Sequence, residues 1–305
     1  MTPNTHSATQ GLLLGIDGGG SGTRVILADA QGNELARASG GPSGLGLGVS
    51  LAWQAIEDAC RRAFDAAARP FDWRHCALGC GLAGVNNADW LAAFLAAAPA
   101  VRALSVKSDA YTTVLGAHGG EAGVIVALGT GSIAASLDEK GECRIAGGYG
   151  FPSGDEASGA WLGLRAVVHL QRVLDGRAQE DGWSRALLAL TGATDRDSLV
   201  VWLCNANQTA YATLAPTLFE FRGHPVAARL LKRAGFEIER LVAALDPAGA
   251  LPVALCGGLA VPYEPFVPAA LRERVRAARA DSAAGALELA RRAAAASAVP
   301  GDPPR

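Results

Sequence analysis

At 305 residues, half of them hydrophobic, the chain exceeds the size at which a single core usually stops growing, so two domains are expected. Its 27 basic and 29 acidic residues give a formal net charge of −2, and the scattered Lys and Arg form no basic stripe for nucleic acid. The opening MTPNTHSATQ has neither the basic nor the apolar region of a signal peptide, and no apolar run is long enough to span a bilayer, so a cytoplasmic location with six reduced cysteines is expected.

Taken in chain order, strands are predicted at Leu12 to Ile16, Arg24 to Ala28 and Glu34 to Gly40. Between the first two lies DGGGSGT. Gly18, Gly19 and Gly20 carry no side chains and let backbone N–H groups approach an anion, while Ser21 and Thr23 add hydroxyls. Asp17 would repel a bare phosphate, which implies magnesium or its water shell between the two. The same letters also suit a β-hairpin turn with no ligand. A dinucleotide-binding turn fits less well, because that fingerprint opens a helix whereas Val25 to Ala28 reads as strand.

After the loop GGPSGLGLG a helix is predicted over Ser50 to Ala67, with Trp53, Ile56, Cys60 and Phe64 at core spacing. HCALGCGLAG reads as a buried strand, NNADWLAAFLAAAP as a helix capped near Asn87, and ALSVKSD as another strand. Alternating strands and helices argue for α/β architecture with a mixed sheet. Asp109 then opens a helix, where it serves equally well as an N-cap or as a catalytic base. A second sheet starts at Gly123, and GVIVALGTGSIAASL repeats the strand, glycine-hydroxyl turn, strand order, with Gly129, Thr130, Gly131 and Ser132 in the turn. Two such turns can clamp one phosphate chain.

SGDEASGAWLGLRAVVHLQRVLDG is predicted as a helix entered through a polar loop, with Trp161, Leu164, Val168 and Leu170 facing inward. Asp155 and Glu156 suit a solvated helix start, acids being favoured at that end of the dipole. Further helices are expected over Arg185 to Leu190, Ser198 to Asn205 and Pro225 to Leu245, with breaks at Pro216 and Arg222 to His224. A third glycine turn, LPVALCGGLA, offers Gly257 and Gly258 as bare backbone against which a flat base could lie. DSAAGALELARRAAAASA is helical and PGDPPR is expected to be disordered. The histidines His6, His75, His118, His169 and His224 read as unpaired surface or core residues. The dispersed cysteines show no zinc or iron–sulfur spacing.

The three glycine turns in this order resemble the phosphate-1, phosphate-2 and adenosine motifs of the actin-like ATPase superfamily. DGGGSGTR, the SDA at Ser108 to Ala110, LGTGS and GGYGFPSGDEASGAWLGLRAV together resemble the BadF/BadG/BcrA/BcrD-type ATPase family, in its N-acetylglucosamine and glucosamine kinase branch. The resemblance runs from about Leu12 to about Arg292. It implies two ribonuclease-H-like domains, 1–116 plus the C-terminal helix 284–305, and 117–283, with ATP and Mg2+ bound in a cleft and the sugar beside the γ-phosphate. In that picture Asp109 matches the kinases' catalytic aspartate. Its helix N-terminus keeps the carboxylate ionised and oriented. GDEAS resembles the segment in which the kinases hold their sugar, which implies substrate contacts for Asp155 and Glu156, and Ser43 and Gly44 fall in the loop that meets the sugar.

Two departures stand out. Ala157 replaces the usual glycine of GDEGS, and Gly44 follows Ser43 where relatives commonly have asparagine. The resemblance implies an enzyme, an amino-sugar kinase, with a small-molecule sugar as partner, no nucleic acid, no membrane, and a homodimer as the expected assembly. The alternative is a regulatory or activating ATPase acting on a partner protein. Such relatives carry a cysteine-held iron–sulfur cluster, and the sugar kinases of the ROK type a Cys-rich zinc motif. Neither pattern is written in this sequence.

Overall fold

A computed structural model describes residues 11–298, so the readings of MTPNTHSATQ and PGDPPR lie outside the described residues. Along the chain come β1 (Leu12–Gly18), β2 (Thr23–Ala28), β3 (Glu34–Gly40), α1 (Val49–Ala66), β4 (Cys76–Leu82), α2 (Ala88–Ala96), β5 (Ala103–Ser108) and α3 (Asp109–Ala117). There follow β6 (Gly123–Leu128), β7 (Ser132–Leu137), β8 (Cys143–Gly147), α4 (Gly159–Leu174), α5 (Gly182–Thr191), α6 (Arg196–Asn205), α7 (Gln208–Ala212), α8 (Ala215–Glu220) and α9 (Pro225–Leu245). The last elements are β9 (Val253–Cys256), the single turns α10 (Ala260–Tyr263) and α11 (Ala269–Arg272), and α12 (Ser282–Ala298). Two compact units result, one running up to Ala122 and resuming at Ala278, the other Gly123–Ala277. No helix among the described residues is long and apolar enough to cross a membrane.

The first unit is a five-stranded sheet in the order β3-β2-β1-β4-β5. β1 pairs antiparallel with β2 and parallel with β4, and β4 pairs parallel with β5. Because helices cover both faces, β1 and β4 are buried along nearly their whole length, as parallel strands require. On one face α1 presents Ala52, Ile56, Ala59, Cys60, Ala63 and Phe64 to Leu14, Ile16 and Leu78. Trp53 joins this layer from the rim, stacked on Phe94 at 4.3 Å.

On the other face lies α12, packed against Leu13, Ala77 and Ala103 through Ala290 and Ala294. It comes so close that glycine is needed beneath it. A Cβ on Gly15 would stand 2.4 Å from the Ala283 carbonyl oxygen, and one on Gly79 only 2.0 Å from that of Ala286.

The second unit repeats this plan with β8-β7-β6-β9, and Val275 forms a parallel bridge to Val253 where a fifth strand would run. Both units are thus α/β and ribonuclease-H-like, the fold class expected. Three local expectations are corrected. Pro216 does not break a helix; it sits in the first turn of α8, where its missing N–H is harmless. β8 and α7 went unpredicted because both are short and largely polar or half-exposed. The inward face of α4 runs Leu162, Ala166 and Leu170, leaving Val168 39 % exposed. Trp161 is buried in the core of this unit, with the Arg165 guanidinium over its ring at 3.3 Å.

Candidate active site

β1 delivers Asp17 to the C-terminal edge of the first sheet, one residue before the glycine turn. In the β1–β2 register Asp17 stands directly opposite Arg24. Arg24 Nε donates to Asp17 Oδ2 at 2.8 Å and a terminal guanidinium nitrogen closes on the same oxygen. The turn closes on itself, since the Gly19 N–H donates to the Gly22 carbonyl at 3.0 Å. The N–H groups of Ser43 and Gly44 both donate to the Gly19 carbonyl, strapping the GGPSGLGLG loop to the turn. A Cβ on Gly18 would fall 2.0 Å from Ser43 Oγ, so only glycine fits there. Nothing stands within 4 Å of the place a Cβ would take on Gly19 or Gly20. Those two leave the open, bare backbone that an anion needs.

Two expected site residues turn their hydroxyls into the loop. The Thr23 hydroxyl is buried and donates to the Gly41 carbonyl at 2.6 Å, with Ser43 Oγ 2.7 Å away. It braces the loop instead of facing a phosphate. Ser43 is itself fully buried against Thr23, so its side chain supports the loop and its backbone faces the turn. Gly44 lies over Gly19 and Gly20, and a Cβ on it would be 3.4 Å from both the Gly19 carbonyl carbon and the Gly20 nitrogen.

Asp17, Gly18, Gly19, Ser21, Thr23, Arg24 and Asp109 line one recess of about 410 Å3, within the range of ligand pockets. Asp109 is not the cap of α3. That role belongs to Ser108, whose Oγ accepts from the Tyr111 N–H at 3.1 Å, and Asp109 is the first helical residue. Its Oδ1 accepts from the Ala110 N–H at 2.8 Å. Protein packed around the recess pushes its pKa up from the usual carboxylate value, and the neighbouring Asp17 charge adds to this against the Ala110 hydrogen bond. Burial thus outweighs the Ala110 hydrogen bond that the helix start offers this carboxylate.

In the second unit β6 ends in the turn Gly129–Ser132. The Gly129 N–H donates to the Gly131 carbonyl at 2.9 Å, while the carbonyls of Gly129 and Thr130 accept from Gly159 and Ala160 in the first turn of α4. Ser132, like Thr23, turns its hydroxyl inward, onto the Glu156 carbonyl at 2.6 Å. Beside it the GDEAS loop takes a strained path, with φ of 56° at Asp155 and 66° at Ala157. Glycine tolerates that geometry, which is why Ala157 is the costlier choice. The Ala157 carbonyl accepts from Tyr263 Oη at 2.7 Å, anchoring the loop.

Asp155 is 5 % exposed, its Oδ1 accepting from the Gly150 N–H at 3.2 Å and its Oδ2 from Gln208 Nε2 at 2.7 Å. A Cβ on Gly131 would fall 2.6 Å from Asp155 Oδ2, so the glycine turn and Asp155 are adjacent. Glu156 is half-buried, near enough to Arg165 for its charge to act there. Gly257, at φ 89°, packs against the Leu128 carbonyl, which accepts from the Leu259 N–H at 3.1 Å. The second and third glycine turns therefore meet at the C-terminal ends of neighbouring strands β6 and β9. Gly258 is open, with nothing within 4 Å of a Cβ.

Sequence reasoning missed Arg24 and Gln208. Arg24 could be found only from the hairpin register. Gln208 had a faint signal in the polar run NANQT that spans the start of α7.

The model of the BadF/BadG/BcrA/BcrD ATPase family matches residues 14–289. The glucosamine kinase of Vibrio cholerae is 31% identical over 280 residues, covering 91% of this chain and 95% of that protein. The N-acetyl-D-glucosamine kinase of Dictyostelium discoideum is 26% identical over 227 residues, 68% of this chain and 70% of that one. A crystal structure from Chromobacterium violaceum, of a protein provisionally assigned as an N-acetylglucosamine kinase, shares 45% identity and a TM-score of 0.85, covering 92% of this chain and 99% of that one.

Proposed function

The chain belongs to the BadF/BadG/BcrA/BcrD ATPase family, and from that premise we propose that it is an ATP-dependent amino-sugar kinase, transferring the γ-phosphoryl group to the 6-hydroxyl of N-acetylglucosamine, with glucosamine as the alternative acceptor. The observation that carries the reading is the first unit's recess, where Asp17 and Asp109 face one open glycine turn. In the transfer the sugar oxygen bonds to the γ-phosphorus, the bond to the departing ADP oxygen breaks, and the hydroxyl proton needs an acceptor. Asp109 supplies it. Its raised pKa makes it a stronger base than an ordinary carboxylate.

Asp17 is the oxygen donor of the kind that a magnesium ion takes, directly or through water, and Arg24 fixes its orientation. Magnesium, when bound, neutralises phosphate charge. Gly19 and Gly20 admit phosphate oxygens to bare backbone. In the second unit Gly129, Thr130 and Gly131 serve the phosphates, and Gly257 and Gly258 the nucleoside. Asp155 meets the sugar's hydroxyls, held in place by Gln208. Cytoplasmic location and a homodimer belong to the same reading, on the sequence alone. The alternative of an activating ATPase is not favoured by the relatives, which are named as sugar kinases.

The experiment is coupled ADP release by the purified protein against glucosamine, N-acetylglucosamine, N-acetylmuramic acid and glucose. N-acetylglucosamine is expected to give the highest kcat/KM. A tenfold preference for glucosamine would reverse the acceptor and leave the kinase standing, whereas ADP release indifferent to every sugar would sink the kinase.

A further inference from the structure

Two of the histidines expected to be unpaired are brought together in the second unit. His169 on α4, Asp181 at the cap of α5 and His224 at the cap of α9 each place one ligating atom within 4.8 Å of the other two, and theirs is the only such group among the described residues. His224 Nε2 lies 2.9 Å from Asp181 Oδ2, and His169 Nε2 lies 3.6 Å from it.

A network built only from hydrogen bonds should leave no loose end in the interior. This one does. His169 is 5 % exposed, and its Nε2 is buried without a hydrogen-bond partner. The far side of each group is meanwhile fixed. Trp183 stacks on the His169 ring at 4.7 Å and is itself held through Nε1 by Thr217 Oγ1 at 2.9 Å. His224 Nδ1 accepts from the Val226 N–H at 3.3 Å, and Asp181 Oδ1 accepts from the Ser184 N–H at 2.8 Å. Both His224 Nε2 and Asp181 Oδ2 are thereby turned toward His169.

We propose that His169, Asp181 and His224 form a binding site for one divalent transition-metal ion of the zinc class, ligated by two imidazole Nε2 atoms and one carboxylate oxygen, with the fourth position open to solvent. Bond lengths of about 2.0–2.1 Å place tetrahedral ligands about 3.4 Å apart. The observed 2.9 and 3.6 Å lie on either side of that edge. Two imidazoles with one carboxylate suit zinc and its neighbours, whereas magnesium and calcium favour all-oxygen sets. Burial holds the His169 pKa below its usual value, keeping the neutral form that ligates. Ligation through Nε2 takes the neutral His224 tautomer with its proton on Nδ1, so on binding that proton passes from Nε2 to Nδ1 and the Val226 N–H bond is given up, while the half-exposed Asp181 and His224 give the ion a route in. The ion would tie α4 to the starts of α5 and α9, sharing no residue with the proposed kinase site.

The test titrates metal-free, full-length protein with Zn2+ by calorimetry and with Co2+ by visible absorption, alongside thermal melts. The variants are His224→Asn and Asp181→Asn, chosen because asparagine keeps a capping oxygen for α9 and α5, and His169→Gln, which touches no cap. One Zn2+ per chain is expected, with a rise in Tm on saturation, tetrahedral Co2+ absorption, and an affinity loss of about tenfold or more in each variant. Sugar-dependent turnover without added zinc should persist in the folded variants. Zinc binding that is substoichiometric, or equally tight in all three variants, overturns the site, as does a melting temperature indifferent to zinc.

Discussion

Asp17 and Arg24 face each other across the β1–β2 hairpin, with the guanidinium gripping a single carboxylate oxygen, Oδ2, through two of its nitrogens. The pairing is written into the register. A one-residue slip would send one of the two side chains to the opposite face of the sheet. Arg24 is 55 % exposed while Asp17 is only 14 %, so the pair adds little to stability, and its consequence is aim.

Removing that aim should be visible in metal dependence. Asp17→Ala is expected to abolish turnover, and added magnesium should restore little of it. Arg24→Gln should lower kcat about tenfold, as a positioning partner does when lost. Magnesium titrations of both variants are the check, and a wild-type magnesium profile in Asp17→Ala would remove the residue from the metal's neighbourhood.

Asp109→Asn should lower kcat about 10²-fold or more with KM nearly unchanged, because the amide fills the same space and accepts no proton. In the wild type, kcat/KM should fall on acidification through the Asp109 pKa, which stands above the usual 3.8. Stability carries the opposite sign. A carboxyl whose pKa is raised by folding favours the fold when protonated and weakens it when ionised, so the fold is weakened as pH rises through the raised value. Asp109→Asn should therefore melt slightly above the wild type at pH 7, and the gap should close at acid pH. A lower melting temperature for the variant at pH 7 would contradict the raised pKa.

Gln208→Ala deprives Asp155 Oδ2 of its donor while leaving the Gly150 N–H on Oδ1. The expected result is a several-fold rise in KM for the sugar with kcat and KM for ATP little changed. Gln208→Glu should do worse, since two carboxylates would then share a 2.7 Å contact. Steady-state kinetics with sugar and ATP varied separately decide the matter. An effect confined to ATP would move Asp155 out of the acceptor site.

Gly79→Ala should destabilise the first unit by about 1–3 kcal/mol, the usual range for overpacking, because its Cβ would meet the α12 backbone at 2.0 Å. Urea unfolding of the full chain measures it. An unchanged midpoint would mean that α12 can lift away at no cost.

Much of this molecule could be read from the letters alone, and the limits of that reading have physical causes. Apolar runs ending in glycine announced β1, β4, β6 and β9, and Pro225 at the start of α9 fixed that helix to the residue. Asp17 could be singled out because it ends a buried strand at a glycine turn, and Asp109 because it opens a helix directly after a strand. The partners of the hydroxyls could not be read. Thr23 and Ser132 look like phosphate donors in sequence, yet each bonds a backbone carbonyl brought in by a distant loop, Gly41 for one and Glu156 for the other. The same holds for His169, Asp181 and His224, whose meeting depends on how three helices pack. Burial likewise outweighed the Ala110 hydrogen bond at Asp109, a balance visible only once the recess exists.

The return of α12 to the first sheet means that the chain is manufactured in one order and can be completed in another. When the ribosome has finished β1, β4 and β5, Leu13, Ala77 and Ala103 have no cover, and Gly15 and Gly79 leave a furrow awaiting a helix that is translated only after residues 123–277. Residues 123–277 are contiguous and need no later segment to close their own core. The half made second is free to fold first, and the half made first stays open to chaperones until α12 has been made. On chains stalled before residue 282, protease should spare 123–277 and cut the opening hundred residues.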